Sequence, residues 1–286
     1  MFSLFKFNLG GENRNRLIIL FLIIVVLFIV TNLVSEEIKR NLYGVAPGVI
    51  YEGQELGHLF RGEVYQVVRE DAIKKRVLSK GATIDSKSGK IIEEKVGWII
   101  DIESTTNKIM EAKSGAKVSA DIYKINPYMT KKILDEITKV IGSYHTFISG
   151  SLSRLRNIKI ATIAINNHLV LAQERFSFNQ VVGPRTKVRG YQEGPVIFDG
   201  IIRPGVGGGV CQVSSTLYNA VQEADLNIIE RYPHSNRVRY VPPGQDAAVA
   251  WNLLDFKFYN QYLFPVIIKA NVYGRKLVIK ILGKEG

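Results

Sequence analysis

Residues 17–34, LIILFLIIVVLFIVTNLV, form an uncharged run of 18 residues whose polar members are Thr31 and Asn32. At 1.5 Å of rise per residue, a helix over this run spans about 27 Å, close to the roughly 30 Å hydrocarbon core of a bilayer. The run is too long and too evenly apolar for a cleaved signal, and no small-residue cleavage site follows it. It predicts a transmembrane anchor over 17–34 preceded by a short tail over 1–16. Lys6, Arg14 and Arg16 precede the span, whereas Lys39 and Arg40 follow it beside Glu36 and Glu37. Positive charge leaning to the N-terminal side predicts a cytoplasmic tail, with everything after residue 40 outside the cell membrane.

That topology sets the terms for the remaining chain. Net charge is +12 over 286 residues, and about +10 is left once the five basic and three acidic groups of residues 1–40 are set aside. Basic surface attracts anionic partners. In an extracytoplasmic setting nucleic acid is not the expected one; peptidoglycan, anionic wall polymers and lipid headgroups are. One cysteine permits no intrachain disulfide, so ordinary cores must hold the exported part. Its length suits one large domain or two small ones; no feature fixes an oligomeric state.

Periodicity divides the exported part at about residue 142. Over 41–141, residues 45–51 read as a strand turning at Glu52-Gly53, and residues 62–80 carry apolar side chains at helical intervals. Strand-rich sequence around Trp98 follows, then a helix capped by Ser104 or Thr105. A strand over 117–123 and a helix running from a Thr130 cap to Ile141 complete a small α+β unit. Over 142–286, a polar stretch leads into a buried helix over 157–166, and 176–179 alternates. A helix bearing Cys211 runs to about Ala224, followed by strand-like runs at 237–241, 247–251 and 255–259. Residues 266–270 and 276–281 flank Tyr273-Gly274-Arg275, a hairpin signal. The expected fold is α+β, with the Cys211 helix packed on a mostly antiparallel sheet.

Chemistry concentrates around that cysteine. Gly207-Gly208-Gly209 end a loop, and Val210-Cys211-Gln212 open the helix. A thiol there meets the positive end of the helix dipole and the unpaired N–H groups of the first turn, which favour thiolate. His234, in Arg231-Tyr232-Pro233-His234-Ser235, opens the next strand-like run. A helix-borne cysteine, a strand-borne histidine and then an acid or amide resemble the order in papain- and transglutaminase-type thiol enzymes. Asp246, Asn252 or Asp255 is the candidate third member, to orient the imidazole and stabilise imidazolium. Gln212 and the glycine-loop N–H groups are candidate oxyanion donors. Arg185, Lys187, Arg189 and Arg203 are candidate holders of a carboxylate or phosphate; Tyr232, Tyr240, Trp251 and Phe256 are candidates to line a groove. Against this stands a plainer reading, in which Cys211 is a small buried hydrophobe and the glycines mark a tight crossing. No metal or cofactor is expected: His58, His145, His168 and His234 are far apart, and neither HExxH nor paired-cysteine spacing occurs.

Several of these segments together resemble the VanW-like family, named for an accessory protein of vancomycin-resistance gene clusters. They are Arg175-Phe176-Ser177-Phe178-Asn179, the run 207–220, Glu230-Arg231-Tyr232-Pro233-His234-Ser235 and Tyr240-Val241-Pro242-Pro243-Gly244-Gln245-Asp246-Ala247. Residues 255–260 and Pro265-Val266 extend the match, which covers about 142–271. One departure is Ala172-Gln173-Glu174, where the family pattern has Pro-Gly-Glu. Residues 41–141 resemble, through Trp98-Ile99-Ile100-Asp101 and their position, the peptidoglycan-binding domain found ahead of VanW-like domains. The resemblance implies a cell-envelope setting and no particular reaction. The expected function is binding or remodelling of peptidoglycan or wall polymers, by Cys-His acyl transfer on a stem-peptide amide or, alternatively, by a non-catalytic binding scaffold.

Overall fold

The computed structural model describes residues 11–198 and 201–284; residues 1–10 of the expected tail and residues 199–200 of the expected strand and loop at 194–202 lie outside them. Helix α1 (Gly11–Tyr43) contains the apolar run, and its stretch Ile18–Tyr43 is long and apolar enough to cross a bilayer, its most apolar 18-residue window having a mean hydropathy of 3.1. None of that span's most apolar window is buried against protein. Helical structure continues past residue 34 through Glu36, Glu37, Lys39 and Arg40.

The chain separates into two compact units: the first runs to Ser79 and resumes over Val96–Asn126, and the second comprises Lys80–Lys95 and everything from Pro127. In the first, β1 (Ile50–Tyr51) and β2 (Gln54–Glu55) pair across the expected Glu52-Gly53 turn, and α2 (Arg61–Lys75) follows. The chain then supplies a short hairpin, β3 (Thr83–Ile84) and β4 (Ile91–Ile92), to the second unit. It returns through β5 (Gly97–Ile100), α3 (Ile102–Met110), β6 (Lys117–Val118) and β7 (Ile122–Ile125). Asp101, rather than Ser104 or Thr105, caps α3: its carboxylate accepts from the Ser104 N–H at 3.0 Å, the geometry of an acidic N-cap. Val49, Leu56, Val64, Val68 and Ile109 are fully buried and form this unit's core.

In the second unit the helix from Thr130 is one short turn, α4 (Lys131–Asp135), and β8 (Ile137–Phe147) begins where the sequence reading kept the helix going. The β-branched run Ile137-Thr138 and Val140-Ile141 loses rotamer freedom in a helix and fits a pleated strand. Residue 142, expected as a joint, therefore lies inside a strand. Helix α5 (Leu152–Ile165) starts earlier than expected because Ser151 caps it, accepting from the Arg154 N–H. Then come β9 (His168–Val170), β10 (Arg175–Ser177), α6 (Phe178–Val182), β11 (Glu193–Phe198), β12 (Ile201–Val206) and α7 (Val210–Glu223). Strands β13 (Asn227–Glu230), β14 (Lys257–Tyr259), β15 (Val266–Tyr273) and β16 (Lys276–Lys284) finish the chain. The expected last hairpin is β15–β16, with Tyr273 opposite Lys276.

The main sheet has the order β8-β16-β15-β9 and is antiparallel throughout; β10-β14-β13 forms a second antiparallel sheet. Helix α7 lies on β8 and β16, and α5 on β15. Leu277, Ile279 and Ile281 alternate along β16 and are fully buried beneath the helices with Leu217, Ala220 and Val221. Gly142 sets how close α7 can come: a Cβ there would stand 2.3 Å from the Ala220 carbonyl oxygen. The strands expected at 237–241 and 247–251 are not ladders; single bridges join Tyr232 to Ala248 and Ala250 to Leu254. Side chains of α7 hold the 245–247 segment instead.

A candidate Cys-His-Asp site

Helix α7 is buried almost all round, so each polar side chain on it needs an internal partner. Those partners build the site. Ser214 Oγ donates to the Ala247 carbonyl at 2.6 Å, and Ser215 Oγ accepts from the Ala247 N–H at 2.9 Å. Asn219 donates to the Gln245 carbonyl at 2.7 Å. The segment around Asp246 is thus laced along α7, and the Ala248 N–H to Tyr232 carbonyl bond of 2.8 Å pins the His234 segment to its other side. Ser214 and Ser215 are structural hydroxyls.

Asp246, 7 % exposed, meets His234 twice: its Oδ2 accepts from the backbone N–H at 2.6 Å and lies 2.5 Å from ring Nδ1. With Nδ1 on the carboxylate, Nε2 is the nitrogen left to face sulfur, and His234 and Cys211 line the same cavity and act on each other's protonation. Arg231 braces Asp246 from behind through Nε to its carbonyl (2.6 Å) and Nη2 to Oδ1 (3.2 Å), and its guanidinium sits 5.3 Å over the Tyr218 ring. The sequence reading did not single out Arg231; its signal was position, three residues before His234.

Electrostatics follow from that line of contacts. Burial pushes the Cys211 thiol up, but the hydrogen bond and charge of His234, with Arg185 nearby, bring it below the ordinary thiol value. Burial pulls His234 down, and Cys211 and Asp246 more than reverse that, so the imidazole sits above its usual range. Burial raises Asp246, and the two His234 donors carry it below the ordinary carboxylate range. The combination favours a thiolate–imidazolium pair. The Val249 carbonyl, 3.4 Å from Sγ, is an acceptor for the neutral thiol, while the Val249 backbone also contributes to lowering the thiol. Cys211 is only partly buried, which separates it from a sealed structural cysteine.

Cys211 and His234 open into a cavity of about 400 Å³ also lined by Arg154, Arg185, the three glycines, Tyr240 and Trp251. Asn157 on α5 fixes the glycine loop, donating to the carbonyls of Gln192 (2.9 Å) and Gly208 (3.0 Å). Gly208 passes so near β11 that a Cβ would stand 2.6 Å from the Gly194 carbonyl carbon, and Gly209 has φ +107°, a region that favours glycine. The glycines therefore serve a tight crossing and, at the same time, shape the cavity. The N–H groups of Gly209 and Cys211 have no acceptor among the described residues.

Other candidates lie elsewhere or do other work. Both amide hydrogens of Gln212 are committed to Thr146 Oγ1 and the Phe147 carbonyl, each at 3.0 Å, so its side chain has no donor left for an oxyanion. Its Oε1 instead accepts from Arg154 at 2.7 Å. Asp255 does not reach His234; its carboxylate takes the Ser177 hydroxyl (2.6 Å) and the N–H groups of Asn179 (2.9 Å) and Phe256 (2.8 Å), holding the start of α6. Asn252 sits with Asp255 in a separate groove, at φ +60°. Arg203 lies on a shallow surface with Ser151, Ser153 and Glu193 and does not line the Cys211 cavity. Phe256 is fully buried in the core, whereas Tyr240 lies in the cavity wall, where burial and Cys211 hold its phenol well above its usual range. Among the described residues no group of His, Cys, Asp or Glu suits a metal ion.

The sequence profile of the family described as VanW like protein matches residues 153–282, a span that includes nearly all of α5, the β10-β14-β13 sheet, α7 and the residues Cys211, His234 and Asp246. YoaR, an uncharacterized protein of Bacillus subtilis (strain 168), is 42% identical over 202 residues, which are 69% of this chain and 67% of YoaR. Vancomycin B-type resistance protein VanW of Enterococcus faecalis (strain ATCC 700802 / V583) is 28% identical over 117 residues, 38% of this chain and 41% of that protein. No solved structure matches. At the one clear departure from the family pattern, Gln173 adopts φ +60° in a turn, the conformation for which glycine is the easier residue. Profile, relatives and motif positions agree: the chain belongs to the VanW-like family.

Proposed function

We propose that this protein is an envelope-facing, membrane-anchored thiol acyltransferase that acts on an amide of the peptidoglycan stem peptide. The observation that carries the reading is the line Cys211–His234–Asp246 opening into the 400 Å³ cavity. Cys211 Sγ attacks the scissile carbonyl carbon, and the carbonyl oxygen takes the charge, beside the N–H groups of Gly209 and Cys211. His234, protonated, gives its proton to the departing amine as the C–N bond breaks, leaving a thioester on Cys211. An incoming amine or water then attacks that thioester, loses its proton to His234 and frees the thiolate. Asp246 holds the ring and stabilises imidazolium throughout.

The setting supports the substrate class. One helix is apolar enough for an anchor, a family relative is a vancomycin-resistance protein by name, and the exported residues carry a net basic balance. We assign residues 41–141 a wall-binding role on the same grounds, and place all that follows the anchor outside the membrane. Incubating the full-length protein in detergent with soluble stem-peptide fragments and analysing products by mass spectrometry tests the reaction. Cleaved or exchanged amide bonds are expected with wild type and none with Cys211→Ala. Equal product from the alanine variant, or none from either while the protein still pellets with cell-wall sacculi, would replace this reading by that of a binding scaffold.

A further inference from the structure

The cavity around Cys211 is lopsided in charge. Arg154, Arg185 and His234 line it, and no Asp or Glu does among the described residues. His234 is offset by Asp246 and by the sulfur; Arg154 is hydrogen-bonded to the neutral Gln212 amide and faces the Tyr240 ring at 5.9 Å. Arg185 has less: both Nη atoms are buried with no hydrogen-bond partner, and its guanidinium rests 5.6 Å over the Phe178 ring. Its stem lies across Gly207, where a Cβ would stand 2.9 Å from Arg185 Cβ. Leaving charged donors unmet inside a protein is costly, so such a group is met by ordered water, by an ion or by a ligand.

We propose that the Cys211 cavity takes an anionic substrate, and that Arg185 binds a carboxylate carried close to the scissile amide. A guanidinium presents paired N–H groups that match a carboxylate bidentately. Because both Nη atoms are buried, presenting that fork to a carboxylate in the cavity requires rotation of the terminal torsions. The remaining wall, with Val196, Val206, Val238, Val249 and Trp251, is apolar, which suits a small side chain next to the carboxylate more than a multiply charged phosphate. This assignment rests on the thiol acyl-transfer reading and names the substrate feature that reading leaves open: a peptide whose residue at or beside the cleaved bond keeps a free carboxyl group.

The single cysteine makes the test clean, because every alkylation event reports on Cys211. Rates of alkylation by iodoacetate, an anion, and iodoacetamide, its neutral counterpart, are measured on the full-length protein in detergent and normalised to N-acetylcysteine. The expected normalised preference for iodoacetate is about tenfold or more, the range of a charge-assisted hydrogen bond. Arg185→Gln should abolish it and Arg185→Lys should keep part of it. N-acetyl-D-alanine should likewise protect Cys211 from iodoacetamide in wild type, and its carboxamide should not, a comparison that stands if the variants fail to fold. Brisk iodoacetamide reaction with no preference for the anion, or a preference intact in Arg185→Gln, overturns the role of Arg185 alone. A thiol slow to both reagents across pH overturns the acyl-transfer reading beneath it.

Discussion

Replacing Asp246 by asparagine isolates the role of the carboxylate charge with little change of shape. Asp246 Oδ2 receives two His234 donors at 2.5 and 2.6 Å, and Oδ1 faces Arg231 Nη2 at 3.2 Å. An asparagine has one acceptor oxygen. Placed at the Oδ2 position it leaves an NH2 group against Arg231, and flipped it leaves that group against both His234 donors. Losing a charged acceptor here costs about 1.5–3 kcal/mol. At 1.36 kcal/mol per pKa unit, that lowers the imidazolium pKa by about one to two units. The sign for sulfur is opposite. Cys211 reacts as thiolate at pH values above its depressed pKa, and His234 stays protonated up to its raised one, so the pair exists between the two. Weakening imidazolium narrows that window from both sides, and the midpoint of Cys211 alkylation by iodoacetamide moves up toward the free-thiol value of about 8.5. The assay is the alkylation rate between pH 5 and 10, with thermal unfolding followed in parallel. Superimposable profiles for wild type and Asp246→Asn, in a variant that stays folded, would refute the triad argument.

Three further outcomes follow from the same contacts. Gln212→Ala removes the partners of Arg154 and the Phe147 carbonyl and one of two from Thr146, in a site where Gln212 is 1 % exposed, so it should destabilise by about 2–4 kcal/mol, read as a lowered denaturant midpoint. Asp255→Ala should cost about 1–3 kcal/mol by freeing Ser177, Asn179 and Phe256, yet leave the pH midpoint of Cys211 alkylation in place; a shifted midpoint would contradict its assignment to the α6 start. Gly142→Val should prevent α7 from seating on β8, since even its Cβ meets the Ala220 carbonyl at 2.3 Å; unchanged thermal stability would show that the helix has room to move.

Several features were legible because they depend on neighbours in sequence. The apolar run of α1, the two-residue turn of the β15–β16 hairpin and the glycine-then-helix start of α7 each follow from local pattern, and they appear where the pattern puts them. Local pattern failed where a distant partner decides. Residues 137–141 look helical on apolar spacing, but pairing with β16 makes them strand; residues 237–241 look like strand, but they join no ladder, and hydrogen bonds from α7 hold the neighbouring 245–247 segment.

The same division runs through the site. Sequence alone supplied a cysteine at a helix start and a histidine after it, because helix polarity and composition are properties of a short segment. Choosing among Asp246, Asn252 and Asp255 required tertiary structure: all three follow His234 within about two dozen residues, and the ties from Ser214, Ser215 and Asn219 bring Asp246 to the imidazole. The fates of Gln212, expected as an oxyanion donor, and Arg185, expected to hold an anion, were decided in the same way. Both are polar and near the cysteine in sequence or space, but hydrogen-bond satisfaction, which only packing settles, committed the Gln212 amide to β8 and left the Arg185 guanidinium without an acceptor.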